Sequence, residues 1–441
     1  MNTIDMSNDY KGLLVVIPTR NRADLAINAI LSVLNQPDCE EVQVLVSDNS
    51  TDLKDIEILH KFCQENDNKR LKYIKPPEPL SMSKHWDWAI NQALEKYPIN
   101  HFLYLTDRMI FKTGQLQEVR NIAKRYPEYI ISYDHDRVAD DKKPVKLEQM
   151  NWTGKLHRVK STRLLGLSAQ AYFHASLPRM LNNVAPRSVL NQISNRFENI
   201  FSSTSPDFNF CYRSLGIVDS ILYFDKAVIV HYAILQSNGA SFAKGVMSKA
   251  SSDFVANLSQ SQFCLSSPIP ALQTVGNAIW HEYCILKQEI GSDRFPDINM
   301  SNYLNYIAGE VKQIENPDLK IKMEEILSSH QNRETLDVKD YSPIEKALSA
   351  RNLSMVFKKL LSPNIVWNKI VTISSKNPYI SSAFLFLSHN LGIRPPSNMV
   401  GSLNFNTTEE ALYYINKFPK SKSKLKTYLT QLLGNDYLEI D

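Results

Sequence analysis

Glycine is scarce, with 13 residues in a chain of 441. No G-x-G-x-x-G follows the first apolar run, and no G-x-x-x-x-G-K-[ST] occurs. That excludes the glycine-cradled phosphate sites of dinucleotide enzymes and P-loop proteins. Cysteine is scarce as well. Cys39, Cys63, Cys211, Cys264 and Cys284 stand far apart and form no C-x-x-C pair, so neither a zinc ribbon nor a dithiol redox site is indicated. Reduced thiols in a cytoplasmic setting are expected. Excess charge is nearly absent: 50 Lys and Arg against 46 Asp and Glu leave +4, too little to call for a nucleic-acid partner. No run reaches the roughly 18 apolar residues of a membrane-spanning helix. The nearest, Ile365 to Leu387, is broken by Lys369, Lys376 and Pro378. Met1 to Tyr10 is polar and carries Asp5 and Asp9, so no secretory signal is expected.

What is present is an ordinary globular chain, long enough for two or three domains. Its first third alternates short apolar runs with helical periodicity, the pattern of βαβ units and a parallel sheet. Leu13 to Ile17 is a continuous apolar run of the kind expected of a strand buried on both faces. A helix from Ala23 to Asn35 follows, then a strand at 42–46 and a helix from Leu53 to Asn66, for which the string Ser47 to Asp52 offers N-caps. After it stand a strand at 71–75, a helix from Met82 to Lys96 and a strand at 101–105. A helix over 114–125 and a strand at 129–133 come next. Polar strand-like sequence runs from about 136 to 164, a helix starts at Pro206, and two short strands are expected between Ser220 and His231. Beyond about 240 helical segments dominate: 270–290, 301–314, 317–328, 343–361 and 409–433. The expected architecture is a mixed α/β sheet domain over 1–240 and an all-helical C-terminal region over 241–441.

Ligands of open parallel sheets bind at the carboxyl ends of the strands. Three such ends carry unusual polar strings: Pro18-Thr19-Arg20-Asn21-Arg22, Ser47-Asp48-Asn49-Ser50 and Thr106-Asp107-Arg108. Helix capping alone would account for one of them; three suggest a site. A phosphate bound there is held by side chains, since the glycine loops are missing.

Val16-Ile17-Pro18-Thr19-Arg20-Asn21-Arg22, the later Leu45-Val46-Ser47-Asp48-Asn49-Ser50, the apolar strand into Thr106-Asp107, and Ser205-Pro206-Asp207-Phe208 together resemble a family two glycosyltransferase of the GT-A fold. The resemblance spans roughly residues 10 to 240. It implies an inverting transfer from a nucleotide sugar, UDP-linked in this reading, to a hydroxyl of a glycan or lipid-linked saccharide in bacterial surface-polysaccharide synthesis. Pro18, Thr19 and Arg22 match the loop over the nucleoside, with Arg20, Asn49, Ser50 and Thr106 beside it, and Asp48 matches the acid that hydrogen-bonds uracil or ribose. Asp107 matches the D-x-D-type acid that steadies the diphosphate, but Arg108 follows where the family has a second acid. Two readings stay open: Asp107 anchors Mg²⁺ or Mn²⁺, or Arg108 neutralises the diphosphate itself. Lys84 is placed to reach the phosphates and equally suits a solvent-facing helix position. Asp207 matches the acceptor-side carboxylate and is the candidate base; an aspartate after Ser-Pro also suits a helix first turn.

Asp134-His135-Asp136 is a literal D-x-D, a pattern that arises often by chance, and His231 ends a strand nearby. Trp86 has core spacing with Ile90, whereas Trp152 beside Thr153-Gly154 has a claim on the acceptor. Lys417, Lys420, Lys422, Lys424 and Lys426 alternate with apolar residues, a pattern that suits either a solvated helix face or peripheral contact with an anionic membrane. Two other functions use a similar sheet: a sugar-nucleotide-forming nucleotidyltransferase, and a nucleotide-sugar-binding module without turnover.

Overall fold

The computed structural model describes residues 12–66, 70–150, 152–237, 265–337, 399–417 and 437–440, with the isolated positions 239 and 243. Among them, twelve strands form one mixed sheet flanked by helices. Strands β1 (Leu13–Thr19), β2 (Gln43–Asp48), β3 (Leu71–Ile74) and β4 (His101–Tyr104) are parallel, in the order β3-β2-β1-β4. They are joined by helices α1 (Ala23–Leu34), α2 (Leu53–Glu65) and α3 (Met82–Lys96). The chain therefore reverses its direction of winding between β1 and β4, the switch point where such sheets open a crevice. Side chains of β1 alternate between two cores: Leu14 and Val16 pack in one, Leu13, Val15 and Ile17 in the other. That double burial is why the run is apolar without alternation.

The far half of the sheet is antiparallel in part. After β5 (Met109–Phe111) and α4 (Gln115–Arg125) come β6 (Ile131–Ala139), β7 (Val145–Met150), β8 (Leu156–Lys160), α5 (Ser161–Ala169), β9 (Asn183–Pro186), α6 (Arg187–Phe197), α7 (Pro206–Ile217) and β10 (Ser220–His231). β9 joins the halves, running antiparallel to both β4 and β6. Where two short strands were expected between Ser220 and His231, one strand of 12 residues forms. Its register against β6 slips between Phe224 and Ala227 and again between Ala227 and Ile229, so the local irregularity that reads as a break is a bulge within one strand.

The C-terminal region is helical in α8 (Val275–Ile290), α9 (Met300–Val311) and Pro317–Asp337. It is not helical throughout. Met399–Phe405 pairs with β7 and Tyr437–Ile440 with β8, because both edge strands offer unpaired backbone groups that another segment of chain satisfies. Helix α8 packs on α7: Tyr283 lies edge-on to Tyr212 at 5.3 Å, and Trp280 is fully buried. The helix expected over 343–361 and the lysine run 420–426 lie outside the described residues. No helix among the described residues is long and apolar enough to cross a membrane. Four described cysteines are free.

Candidate functional site

The two loops richest in polar residues are stitched to each other before they meet any ligand. Asn21 has φ +54°, a left-handed conformation that asparagine tolerates better than most residues. It turns the chain out of β1 so that its Oδ1 accepts from Thr51 N at 2.8 Å and Asp52 N at 2.9 Å. Its own N–H donates to Ser50 Oγ at 2.8 Å. Asp52 caps α2, accepting from Lys54 N at 2.9 Å, and Asp55 accepts from Ala23 N at the start of α1 at 2.8 Å. Asn49 Nδ2 donates to Leu80 O and Leu80 N donates back to Asn49 Oδ1, at 2.8 and 2.9 Å, while Arg20 also donates to Leu80 O at 3.1 Å. The Pro18–Arg22 and Ser47–Asp52 loops are thus one rigid rim.

Parallel register brings the acidic end of β4 to that rim. Thr19 sits opposite Asp48, and Val16 opposite Tyr104. Asp107, three residues past Tyr104, meets Thr19, three past Val16: Thr19 Oγ1 donates to Asp107 Oδ2 at 2.8 Å. Arg22 Nε forms an ion pair with the same oxygen at 2.9 Å. Asp107 Oδ1 is buried and has no partner. Arg108 is half-buried beside Asp107 and Arg22; burial lowers its guanidinium pKa and Asp107 opposes the shift. Asp48 is fully buried, its oxygens taking Ser50 N and the Tyr73 hydroxyl at 2.8 Å each. Tyr73 carries no motif, and sequence reasoning missed it. Lys84 is exposed at the start of α3.

Arg179, also missed in the sequence, is a charged neighbour of Asp207. It lies just before a one-turn helix at Met180–Asn182 and stacks over Phe208 at 5.6 Å. It acts on Asp134, His135, Asp207 and His231, and His231 in turn feels Arg108. The His135 and His231 rings stack at 4.1 Å. Burial, reinforced by Arg179 and Arg137, pushes His135 down to about 3 and His231 well below its ordinary value, so both rings are neutral near pH 7. Burial raises Asp134 to about 7. Asp207, in the first turn of α7, has its carboxyl raised by burial, with Arg179 and first-turn backbone N–H groups opposing. A carboxyl of raised pKa beside the Arg179 cation suits a group that takes a proton near a developing anion.

The donor set at Asp107 does not fit a resident divalent ion. One carboxylate oxygen is held by a hydroxyl and a guanidinium, and the next residue is a second cation. Among the described residues no three His, Cys, Asp or Glu side chains gather to hold a metal. The literal D-x-D offers no alternative: Asp136 is ion-paired with Lys112 at 2.8 Å and accepts from Met150 N at 2.7 Å. Trp152 is buried, with Lys226 over its ring at 5.1 Å, which makes it a packing residue rather than a sugar platform. Trp86 is core, against Tyr104 and Phe201.

Residues 14–180 match the family model described as Glycosyl transferase family 2. No curated protein matches the chain. Solved structures of S. aureus TarS are similar at 12% identity. One gives a TM-score of 0.38 over 70% of this chain and 50% of its own, so this chain spans half its length. A 1–349 form in complex with UDP-GlcNAc gives 0.39, covering 71% of this chain and 83% of its own. The same form in complex with UDP gives 0.38, covering 87% and 88%. A likeness of that size fixes neither donor nor reaction.

Proposed function

We propose, on the premise that residues 14–180 are a glycosyl transferase family 2 domain, that this chain moves a sugar from a nucleotide-sugar donor to a hydroxyl, with inversion at the anomeric carbon. The observation that carries the reading is the meeting of Thr19, Arg22 and Asp107 where β1 and β4 open the sheet. The donor is UDP-linked and the acceptor is a glycan or lipid-linked saccharide of a surface polysaccharide. The rim from Pro18 to Arg22, with Asn49, Ser50 and Thr106, receives the nucleoside, and Asp48 and Tyr73 hold the floor beneath it.

Transfer forms a bond from the acceptor oxygen to the anomeric carbon and breaks the bond from that carbon to the diphosphate, which leaves with the electron pair. Arg22 and Arg108 supply the positive charge that meets it; Lys84 adds to it from the start of α3. Asp207 takes the proton of the attacking hydroxyl. No step needs Mg²⁺ or Mn²⁺ at Asp107. The protein acts in the cytoplasm, peripheral to the membrane through the basic segment 417–426, with residues 1–240 as the transferase unit and 241–441 as its C-terminal unit.

The test is a panel of nucleotide sugars, with and without Mn²⁺, in which released nucleoside diphosphate and bound ligand are both measured. Release of a nucleoside diphosphate from one donor class supports the reading. Pyrophosphate-dependent release of a nucleoside triphosphate would make the protein a nucleotidyltransferase. Binding without turnover across a range of acceptors would make it a binding module.

A further inference from the structure

The strand-end rim accounts for the donor side but leaves open what holds the loop from which Asp207 projects. Ser205 is the N-cap of α7, yet its side chain makes no capping bond; the first-turn N–H groups of Asp207 and Phe208 are met by the Asp207 carboxylate itself. The turn that leads into the helix is held from α8, a helix beyond the segment that matches the family model. Glu282 is fully buried. Its Oε1 accepts from Thr204 N at 3.1 Å and Ser205 N at 2.9 Å, and its Oε2 accepts from Asn209 Nδ2 at 2.9 Å. Those three donors bracket Asp207 on both sides.

The neighbouring His281 grips the same loop. Ser266 N donates to His281 Nδ1 at 2.7 Å, which makes that nitrogen the acceptor and leaves the ring proton on Nε2, 3.2 Å from Ser203 Oγ. Ser203 has φ +67°, a strained left-handed conformation that persists only where surroundings enforce it. A turn held in this way, beside a candidate base, has its shape set by α8.

We infer that Glu282 is the positioning residue of the Asp207 base, fixing through Thr204, Ser205 and Asn209 the direction in which the Asp207 carboxylate meets the acceptor hydroxyl. This rests on the reading of Asp207 as base. Displacing a catalytic group by about 1 Å costs on the order of a hundredfold in rate, without touching a donor pocket built from β1, β2 and β4. A residue needed only for folding would instead degrade both together.

The experiment is a mutant cycle on the full chain, reading kcat and donor KM for UDP release from the UDP-sugar the panel selects, and UDP affinity by calorimetry. Glu282→Ala is expected to lower kcat by about 30- to 100-fold with KM and UDP affinity within about twofold. Glu282→Gln, whose amide oxygen still accepts from Thr204 and Ser205, should recover to within about fivefold of the parent. Asp207→Asn combined with Glu282→Ala should be no slower than Asp207→Asn alone, because both changes remove the same act. Should Glu282→Ala fail to fold, Asn209→Ala removes one of the three bonds and is read in the same cycle, with a smaller fall in kcat. Additive losses, or a matching fall in UDP affinity, overturn the inference. If Asp207→Asn is slow while Glu282→Ala and Asn209→Ala release UDP at the parent rate, positioning alone is refuted. A parent-like Asp207→Asn removes the base itself and the inference with it.

Discussion

Arg22 Nε lies 2.9 Å from Asp107 Oδ2, with side-chain exposures of 20% and 1%. The guanidinium follows the first strand and the carboxylate follows the fourth, so the pair bridges the switch point of the sheet. The cation is partly exposed while the anion is buried, so the side of the pair that solvent reaches is the positive one.

Removing that guanidinium should therefore hurt twice. Arg22→Ala leaves a buried carboxylate with only Thr19 as partner, a loss of about 1–3 kcal/mol. It should also raise the donor KM about tenfold, since a half-buried cation is lost from the phosphate side. Denaturant unfolding and donor kinetics measure the two separately; an unchanged KM would take Arg22 out of the donor site.

Asp207→Asn should lower UDP release on the order of a hundredfold or more while UDP affinity stays at the parent value. Because burial raises the Asp207 carboxyl and only the ionised form accepts a proton, kcat should fall as pH drops, with its acid-side inflection above the ordinary carboxylate value near 3.8. A pH–rate profile that stays flat down to that value would count against Asp207.

Chelation tests the charge on the diphosphate. With EDTA present, UDP release should stay within about twofold, and Arg108→Ala should lower it about a hundredfold. Activity abolished by EDTA and restored by Mn²⁺ would instead assign the buried, unpartnered Asp107 Oδ1 to an ion.

Asn21 offers a graded test of the rim. Asn21→Gly keeps the positive φ but loses the bridge to Thr51 and Asp52; Asn21→Ala loses both. Melting temperatures should order as parent, then glycine, then alanine, with alanine lower than the parent by about 1–2 kcal/mol equivalent. Equal effects would mean the backbone conformation carries no cost.

Buried histidines set the acid limit of stability. Burial lowers His85 and His281 to about 4 and His135 and His174 to about 3, against an unfolded value near 6.5. The unfolded chain therefore binds more protons as pH falls below 6.5, and the native state loses stability from there down to about 3–4. Asp134 and Glu282, raised by burial to about 7, act in the opposite direction over the same window. The four histidines outweigh them, so Tm should fall between pH 7 and 4; a constant Tm would mean that the carboxyls offset the rings and would refute the prediction.

Much of the architecture was legible. The unbroken apolar run Leu13 to Ile17 is what burial on both sheet faces requires, and Asp52 before Leu53 is the cap that α2 uses. The polar strings after β1, β2 and β4 do meet at one edge of the sheet, because parallel strands put successive carboxyl ends on one edge. Arg179, Tyr73 and Glu282 were not legible, since each reaches its partners across long sequence separations and carries no local pattern. The strand Met399–Phe405 was missed for a related reason: edge pairing depends on a partner strand found only in three dimensions.

Local chemistry and periodicity, then, determined which residues would be strands, caps and turn formers, because those forces act over a few neighbours. Tertiary contact alone decided that Asp107 would be ion-paired with Arg22 and that Glu282 would hold the turn leading to Asp207. Charge pairing and buried hydrogen bonding depend on distance in space, which a linear order of residues does not contain.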